Sequence, residues 1–293
     1  MLFACAHPAI DASVRTPLVL RTVLGIDAGR IASAFLVSPA AMRQRLVRAR
    51  TKIRDAAIAF EVPEPPFFAE RIAVVLDAIY AAFGLSWEEP GSDGAGSDLN
   101  REAVWLARAI AGLAPHEPEA QGLLALVLFV EARRHARRDE RGAYVALDEQ
   151  DARRWSAPML ADAEGALARA RSPVPGRFAL EAAIQAAHVA RRFGEPADWR
   201  AIASLYDALV MRTVAIGAAV SRAAAHARAY GEAAGLAALG ALDAARVAQY
   251  QPYWALRAHL THDIRDYDRA IGLAQDDATR SFLLARRTGD APR

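Results

Sequence analysis

IDAGRIASAFLVSPAAMRQRLVRARTKIR, residues 26–54, reads as a helix, a tight turn and a second, strongly basic helix. The first helix is expected over Asp27–Phe35, with the turn at Leu36-Val37. Ser38 suits the N-cap of the second, because its hydroxyl can accept from the unsatisfied backbone N–H groups of the next turn. Pro39 then falls at the first helical position, where a missing N–H costs nothing. Beyond it Met42, Leu46, Ala49 and Ile53 recur at spacings of four, three and four, an apolar stripe at helical period. Arg43, Arg50 and Arg54 flank the stripe on one side and Arg45 and Arg48 on the other, while Ala40, Ala41 and Gln44 point outward at its start. A tip of small residues can approach base edges in a major groove while flanking arginines hold phosphates. An ordinary basic surface helix shows the same pattern, so spacing alone leaves both readings open.

Charge favours the first of them. The 293 residues carry a formal net charge of +2, but it is unevenly spread. Between Arg15 and Arg54 lie nine basic residues and one acidic residue, Asp27, so that window is basic and the remainder is acidic. A basic head on an acidic body is the footprint of a local nucleic-acid contact and argues against nucleic acid wrapping the whole chain. The single Cys5 rules out an internal disulfide and a cysteine-based zinc site. No charge-free run reaches the roughly 18 apolar residues of a membrane-spanning helix, and the start lacks the basic-then-apolar order of a signal peptide. The expectation is a soluble, cytoplasmic protein without membrane attachment.

Alternating apolar runs bounded by turns are missing, and alanine, leucine and arginine dominate, so the expected fold class is all-α. Before the helix-turn-helix, Asp11 or Ser13 can cap a helix running to about Leu24, with Pro17 in its first turns and Gly25 ending it. That helix completes a small three-helix domain over residues 1–60. Phe60–Pro66, FEVPEPP, is a proline-rich break and reads as the linker out of it. A helical period resumes at Ile72, Val75, Leu76, Ile79, Tyr80 and Phe83, and Pro90–Asp98, PGSDGAGSD, reads as a mobile loop. From Leu99 onward successive helices are broken at Ala114-Pro115, Arg138–Gly142, Ser172–Gly176, Gly194–Pro196, Gly231 and Gln251-Pro252. Residues 67–293 are therefore expected to form a tetratricopeptide-like helical extension. Trp254, Leu256, Ala258, Tyr267 and Ala270 carry that repeat's alternation of aromatic and small residues, as do Ala227, Tyr230, Gly231, Ala234 and Leu239.

Sites for other chemistry are thin. His259, His262 and Asp263 share a helical face, a geometry open to a metal, but no distinctive further ligand accompanies them. Ala132–Arg141, ARRHARRDER, reads as a solvated helix end whose cations favour the C-terminal dipole, with a DNA or polymerase contact as the alternative. The glycine-rich Pro90–Asp98 has no preceding strand and no following lysine, so it is not a phosphate loop. Asp148, Glu149 and Asp151 beside Arg153, Arg154 and Trp155 read as a charged loop closing a helix pair. No nucleophile–base–acid set, P-loop or dinucleotide fingerprint appears, so neither an enzyme nor a cofactor is expected.

The sequence resembles the extracytoplasmic-function sigma factors of RNA polymerase, in the subgroup with a long tetratricopeptide-like C-terminal extension. FACAHPAI, IASAFLVSP and QRLVRARTKIR match region 4 of that subgroup. ERIAVVLDAIY, LLALVLFVEARRHAR, LDEQDARRW, ALEAAIQAAH, DWRAIASLYDAL and AAGLAAL follow in the subgroup's order. The match covers nearly the whole chain with three departures. Region 2, which clamps the polymerase core and melts the −10 element, has no counterpart, since Met1 falls at the junction before region 4; a fragment and a diverged relative would both look like this. Phe83-Gly84-Leu85-Ser86-Trp87 replaces a Phe-Asn-Glu-Gly-Tyr-like run, and Gly217-Ala218 replaces an Asn-Arg pair.

The resemblance implies a transcription factor that binds a −35-type promoter element and RNA polymerase core. Ser38 and Ala41 would form the tip entering the groove, Gln44 and Arg43 would read bases, and Arg45, Arg48, Arg50 and Lys52 would mainly hold phosphates. The extension would be regulatory, with a small YCII-like protein as a further implied partner. The departures motivate the alternative of a protein-interaction scaffold that keeps the helix-turn-helix as a remnant.

Overall fold

The computed structural model describes residues 1–35, 37–59, 61–87, 95–140, 142–194 and 196–289, and its fold is all-α. The helices are α1 (Leu2–Cys5), α2 (Ala12–Thr22), α3 (Ala28–Ala34), α4 (Pro39–Asp55), α5 (Pro65–Trp87), α6 (Ala95–Leu113), α7 (Pro118–Glu131) and α8 (Ala157–Arg169). They continue with α9 (Arg177–Val189), α10 (Trp199–Val210), α11 (Ile216–Tyr230), α12 (Glu232–Gly240), α13 (Ala244–Val247), α14 (Gln251–Thr261), α15 (Ile264–Leu273) and α16 (Asp277–Thr288). Among the described residues there is no strand beyond an isolated bridge between Arg138 and Tyr144. No described helix is long and apolar enough to cross a membrane. The chain forms two compact units, Met1–Val127 and Leu128–Arg293, and the division falls inside α7.

In the first unit Asp11 is the cap that starts α2, accepting from the Ser13 N–H at 2.8 Å. The helix runs on through Pro17, whose ring is buried on the core face beside Leu18. Gly25 takes a left-handed φ of 66° after the helix end, which returns the Ile26 N–H to the Leu20 carbonyl. Leu18 and Leu20 on α2, Ile31 on α3 and Met42 and Leu46 on α4 are all buried where these three helices pack together. The proline-rich break does not end this unit. Packing of α5 against α1 and α2 continues it, through Phe3 against Phe68 (ring centroids 5.4 Å apart) and the Arg15–Glu70 ion pair at 3.0 Å. Ile72, Val75, Leu76, Ile79 and Phe83 are buried as their period requires. Pro90–Asp98 lies mostly outside the described residues, and from Ala95 onward the chain is already helical, as the start of α6.

In the second unit each helix packs on its sequence neighbours from α8 to α12, and α14, α15 and α16 continue the series. Ala258, Tyr267 and Ala270 are buried where small and aromatic residues alternate in sequence. Tyr230 is not: it is 51% exposed, and the buried cluster among α11, α12 and α14 is formed by Val220, Ala223, Leu239 and Leu260 instead. Gln251 and Pro252, read as a break, form the first turn of α14. The two ends of the unit meet. Phe282 on α16 packs edge-on against Tyr144 (5.3 Å), and Arg286 pairs with Glu149 at 2.7 Å across 137 residues of sequence. A linear repeat array touches only its neighbours; here the last helix returns to the loop that opens the unit.

Candidate nucleic-acid interface

Local chemistry places α4. The Ser38 hydroxyl accepts from the Ala41 N–H at 3.2 Å, Pro39 opens the helix, and Asp27 caps the preceding α3 by accepting from the Gly29 N–H at 2.6 Å. Those backbone donors hold the Asp27 carboxyl below the usual carboxylate range, with the Gly29 N–H the main cause. Met42, Leu46 and Ala49 are buried, with Ile53 half-buried at the end of the same stripe. The stripe therefore fixes which side of α4 faces solvent.

That outward side carries Arg43, Gln44, Arg45, Arg48, Arg50 and Lys52, all exposed, with Ala40 exposed and Ala41 half-buried at the tip. Arg30 aside, the basic residues of the window divide into two groups. Arg15 is used on the Ile10 and Pro8 carbonyls and Glu70, Arg21 on the Gly25 and Ile26 carbonyls, and Arg54 on Asp55 at 3.0 Å. Arg43, Arg45, Arg48, Arg50 and Lys52 make no hydrogen bond or ion pair with any described residue. Arg45 acts only at a distance, as one of the charges that lower the Asp11 pKa behind the hydrogen bonds from Ser13. Five cations on the two flanks of the exposed side of α4, Arg43 and Arg50 on one and Arg45, Arg48 and Lys52 on the other, have no internal anion and are available to an external one.

Sequence reasoning missed Val47, which is 63% exposed in the middle of this face. One residue past Leu46, it is turned about 100° from the stripe, so a helical wheel would have found it. Gln44 and Val47 share one outward row at i, i+3: a side chain with donor and acceptor next to an apolar one.

The other sequence candidates resolve differently. The described part of Ala132–Arg141, residues 132–140, is not a solvated helix end. Arg133 is 7% exposed, its Nε donating to the Phe129 carbonyl at 3.2 Å and its Nη2 to Gln185 Oε1. Burial pushes the Arg133 pKa down to about 10, which still leaves it charged at neutral pH. The carboxylates of the charged loop are engaged, Asp148 with Arg228 and Asp151 with Arg153. Asp263 caps α15 by accepting from the Arg265 N–H and pairs with the Arg265 side chain at 2.9 Å. Among the described residues no three His, Cys, Asp or Glu side chains converge closely enough to hold a metal ion.

Residues 71–171, from α5 into the turn after α8, match a family of unknown function (DUF6596). No solved structure matches the chain. An uncharacterized protein of Rhizobium meliloti (strain 1021), R00370, is 37% identical over 292 residues, which cover 97% of this chain and 69% of that protein. At that identity and coverage, the chain belongs to the same protein family as R00370 of Rhizobium meliloti.

Proposed function

We propose that this protein acts in transcription initiation in the manner of an extracytoplasmic-function sigma factor, with α4 reading the major groove of a −35-type promoter element. One observation carries the reading: the exposed face of α4 bears five basic side chains without internal partners around a capped, small-residue tip. Arg45, Arg48, Arg50 and Lys52 hold phosphates, and Arg43 and Gln44 approach base edges. On this reading the exposed Val47 meets a thymine methyl. The same basic face is shared with RNA polymerase, and the helices of the second unit serve as a tetratricopeptide-like regulatory extension whose partner class includes small YCII-like proteins. On this reading the protein works in the cytoplasm, where promoter DNA is.

The test is fluorescence anisotropy with promoter-length duplex DNA across a salt series, beside an Arg45→Ala/Arg48→Ala double variant. Each phosphate contact contributes about −0.9 to the slope of log affinity against log salt. The double variant is expected to bind more weakly and to lose about two contacts' worth of slope. Absence of binding at low salt, or a variant with unchanged slope, refutes DNA reading by α4 and leaves a protein-interaction scaffold.

A further inference from the structure

We propose that a cleft under the C-terminal half of α4 binds a small apolar carboxylate, whose head group takes Arg50 and Arg54 away from DNA. The cleft lies within the first unit, is open to solvent and has a volume of about 550 Å³, the range of small-molecule sites. Its walls are apolar: Cys5 from α1, Ile53 from α4, and Ala57 and Ile58 from the turn after α4. Arg50 and Arg54, one helical turn apart, stand at its edge. This is the chemistry of an amphiphilic anion site, with a hydrophobic body below and guanidinium groups for the head.

Three further observations point to an occupant. The Thr22 hydroxyl lines the cleft, and its oxygen is buried with no hydrogen-bond partner among the described residues; the Cys5 thiol it faces is close enough to feel it but not to complete a bond of good geometry. Arg50 has no ion-pair partner among the described residues, while its charge reaches the Cys5 thiol at the cleft wall. Arg54 spends only its Nε on Asp55. At the lip Ala57 holds φ at 48°, a left-handed conformation that alanine rarely takes. The strained turn lets the Ile58 N–H reach the Ile53 carbonyl at 3.1 Å and folds Ile58 into the wall. Cys5 itself is wall and not nucleophile, since burial raises its thiol pKa and keeps it protonated.

The regulatory half of the proposal rests on α4 binding DNA; the ligand site does not. The probe is decanoate, titrated below its micelle concentration into the full-length protein by calorimetry without DNA. Decanol serves as the uncharged counterpart, with Arg50→Ala as the head-group variant and Arg48→Ala, across the helix, as the control. One decanoate per chain is expected, with decanol and the Arg50→Ala protein each about tenfold weaker and Arg48→Ala unchanged. Occupancy should also slow alkylation of Cys5, the chain's single thiol. No saturable binding, or decanol binding as well as decanoate, overturns the site. In the DNA arm, decanoate should release bound duplex from the native protein. If the protein binds DNA and also decanoate, but the duplex is not released, the regulatory half falls. If the protein binds no DNA at all, the promoter reading fails while calorimetry still decides the ligand.

Discussion

Gly235→Ala separates packing from helix propensity, because the two predict opposite signs. Gly235 lies in the middle of α12, where propensity alone makes alanine better than glycine by about 1 kcal/mol. The neighbourhood forbids it. A Cβ at residue 235 would stand 2.5 Å from the Ala227 Cβ on α11, 3.0 Å from the Ala223 carbonyl oxygen and 3.1 Å from the Leu260 Cδ1 on α14. Leu260 can rotate away, but the Ala223 carbonyl and the Ala227 methyl are fixed to helix backbone, so α11 and α12 must separate. Overpacking of this kind costs typically 1–3 kcal/mol. Set against the propensity gain, the expected net is a loss of up to about 2 kcal/mol, or up to roughly 8 °C in Tm for a unit of this size. Gly272→Ala in α15 is the matched control, since a Cβ there meets nothing within 4 Å. It should keep the propensity gain and stabilise. Urea unfolding followed by far-UV circular dichroism compares the two against the native chain. If Gly235→Ala stabilises as much as Gly272→Ala, the close approach of α11 and α12 is wrong.

Two other perturbations test the turn after α4 and the interior of the second unit. Ala57→Gly should be neutral or stabilising by up to about 1 kcal/mol, because relief of the left-handed strain, about 1–2 kcal/mol, is partly offset by the entropy of glycine in the unfolded chain; a urea midpoint clearly below native would refute the strained turn. His188 is 8% exposed, edge-on to Trp199, and burial, with Arg133 adding to it, pushes its pKa down to about 4. The folded value lies below the unfolded value near 6.5, so the unfolded chain binds the extra proton and stability is lost as pH falls from 6.5 towards 4. Between pH 7 and 4.5 this one group should remove roughly 2 kcal/mol, and His188→Gln should flatten the pH dependence of the urea midpoint by that amount; an unchanged pH profile in the variant would refute the neutral buried histidine.

Most of α4 was legible because two independent local signals coincide there. The cap at Ser38 depends on hydroxyl chemistry and the Met42–Ile53 stripe on period, and both are satisfied within the helix itself. Asp11 and Gly25 were readable for the same reason. The extent of the first unit was not. Phe60–Pro66 interrupts the local pattern, and a break in local pattern says nothing about whether the next helix packs backwards. Phe68 meets Phe3 and Glu70 meets Arg15 across 65 and 55 residues, so the contacts that carry α5 into the unit are invisible to any window along the chain.

The basic run at Ala132–Arg141 shows the limit most sharply. In sequence Arg133 and Arg138 are both arginines in a charged segment, yet Arg133 is enclosed while Arg138 stays partly in water. What separates them lies elsewhere in the chain: Gln185 on α9 supplies the oxygen that makes the buried guanidinium tolerable. Arg191, six residues further on, donates to the Leu147, Asp148 and Gln150 carbonyls and stacks over Trp155 at 4.9 Å. It thereby shapes the loop whose Asp148 and Glu149 receive Arg228 and Arg286. Individually the exposed pairs of that set are weak. Together with the Tyr144–Phe282 contact they bring α16 back to the loop, a geometry that no repeat pattern encodes, because it depends on side chains the repeat treats as interchangeable surface. The charged loop within residues 71–171 thus ties together three distant points of the second unit: Arg191 just after α9, Arg228 on α11 and Arg286 on α16.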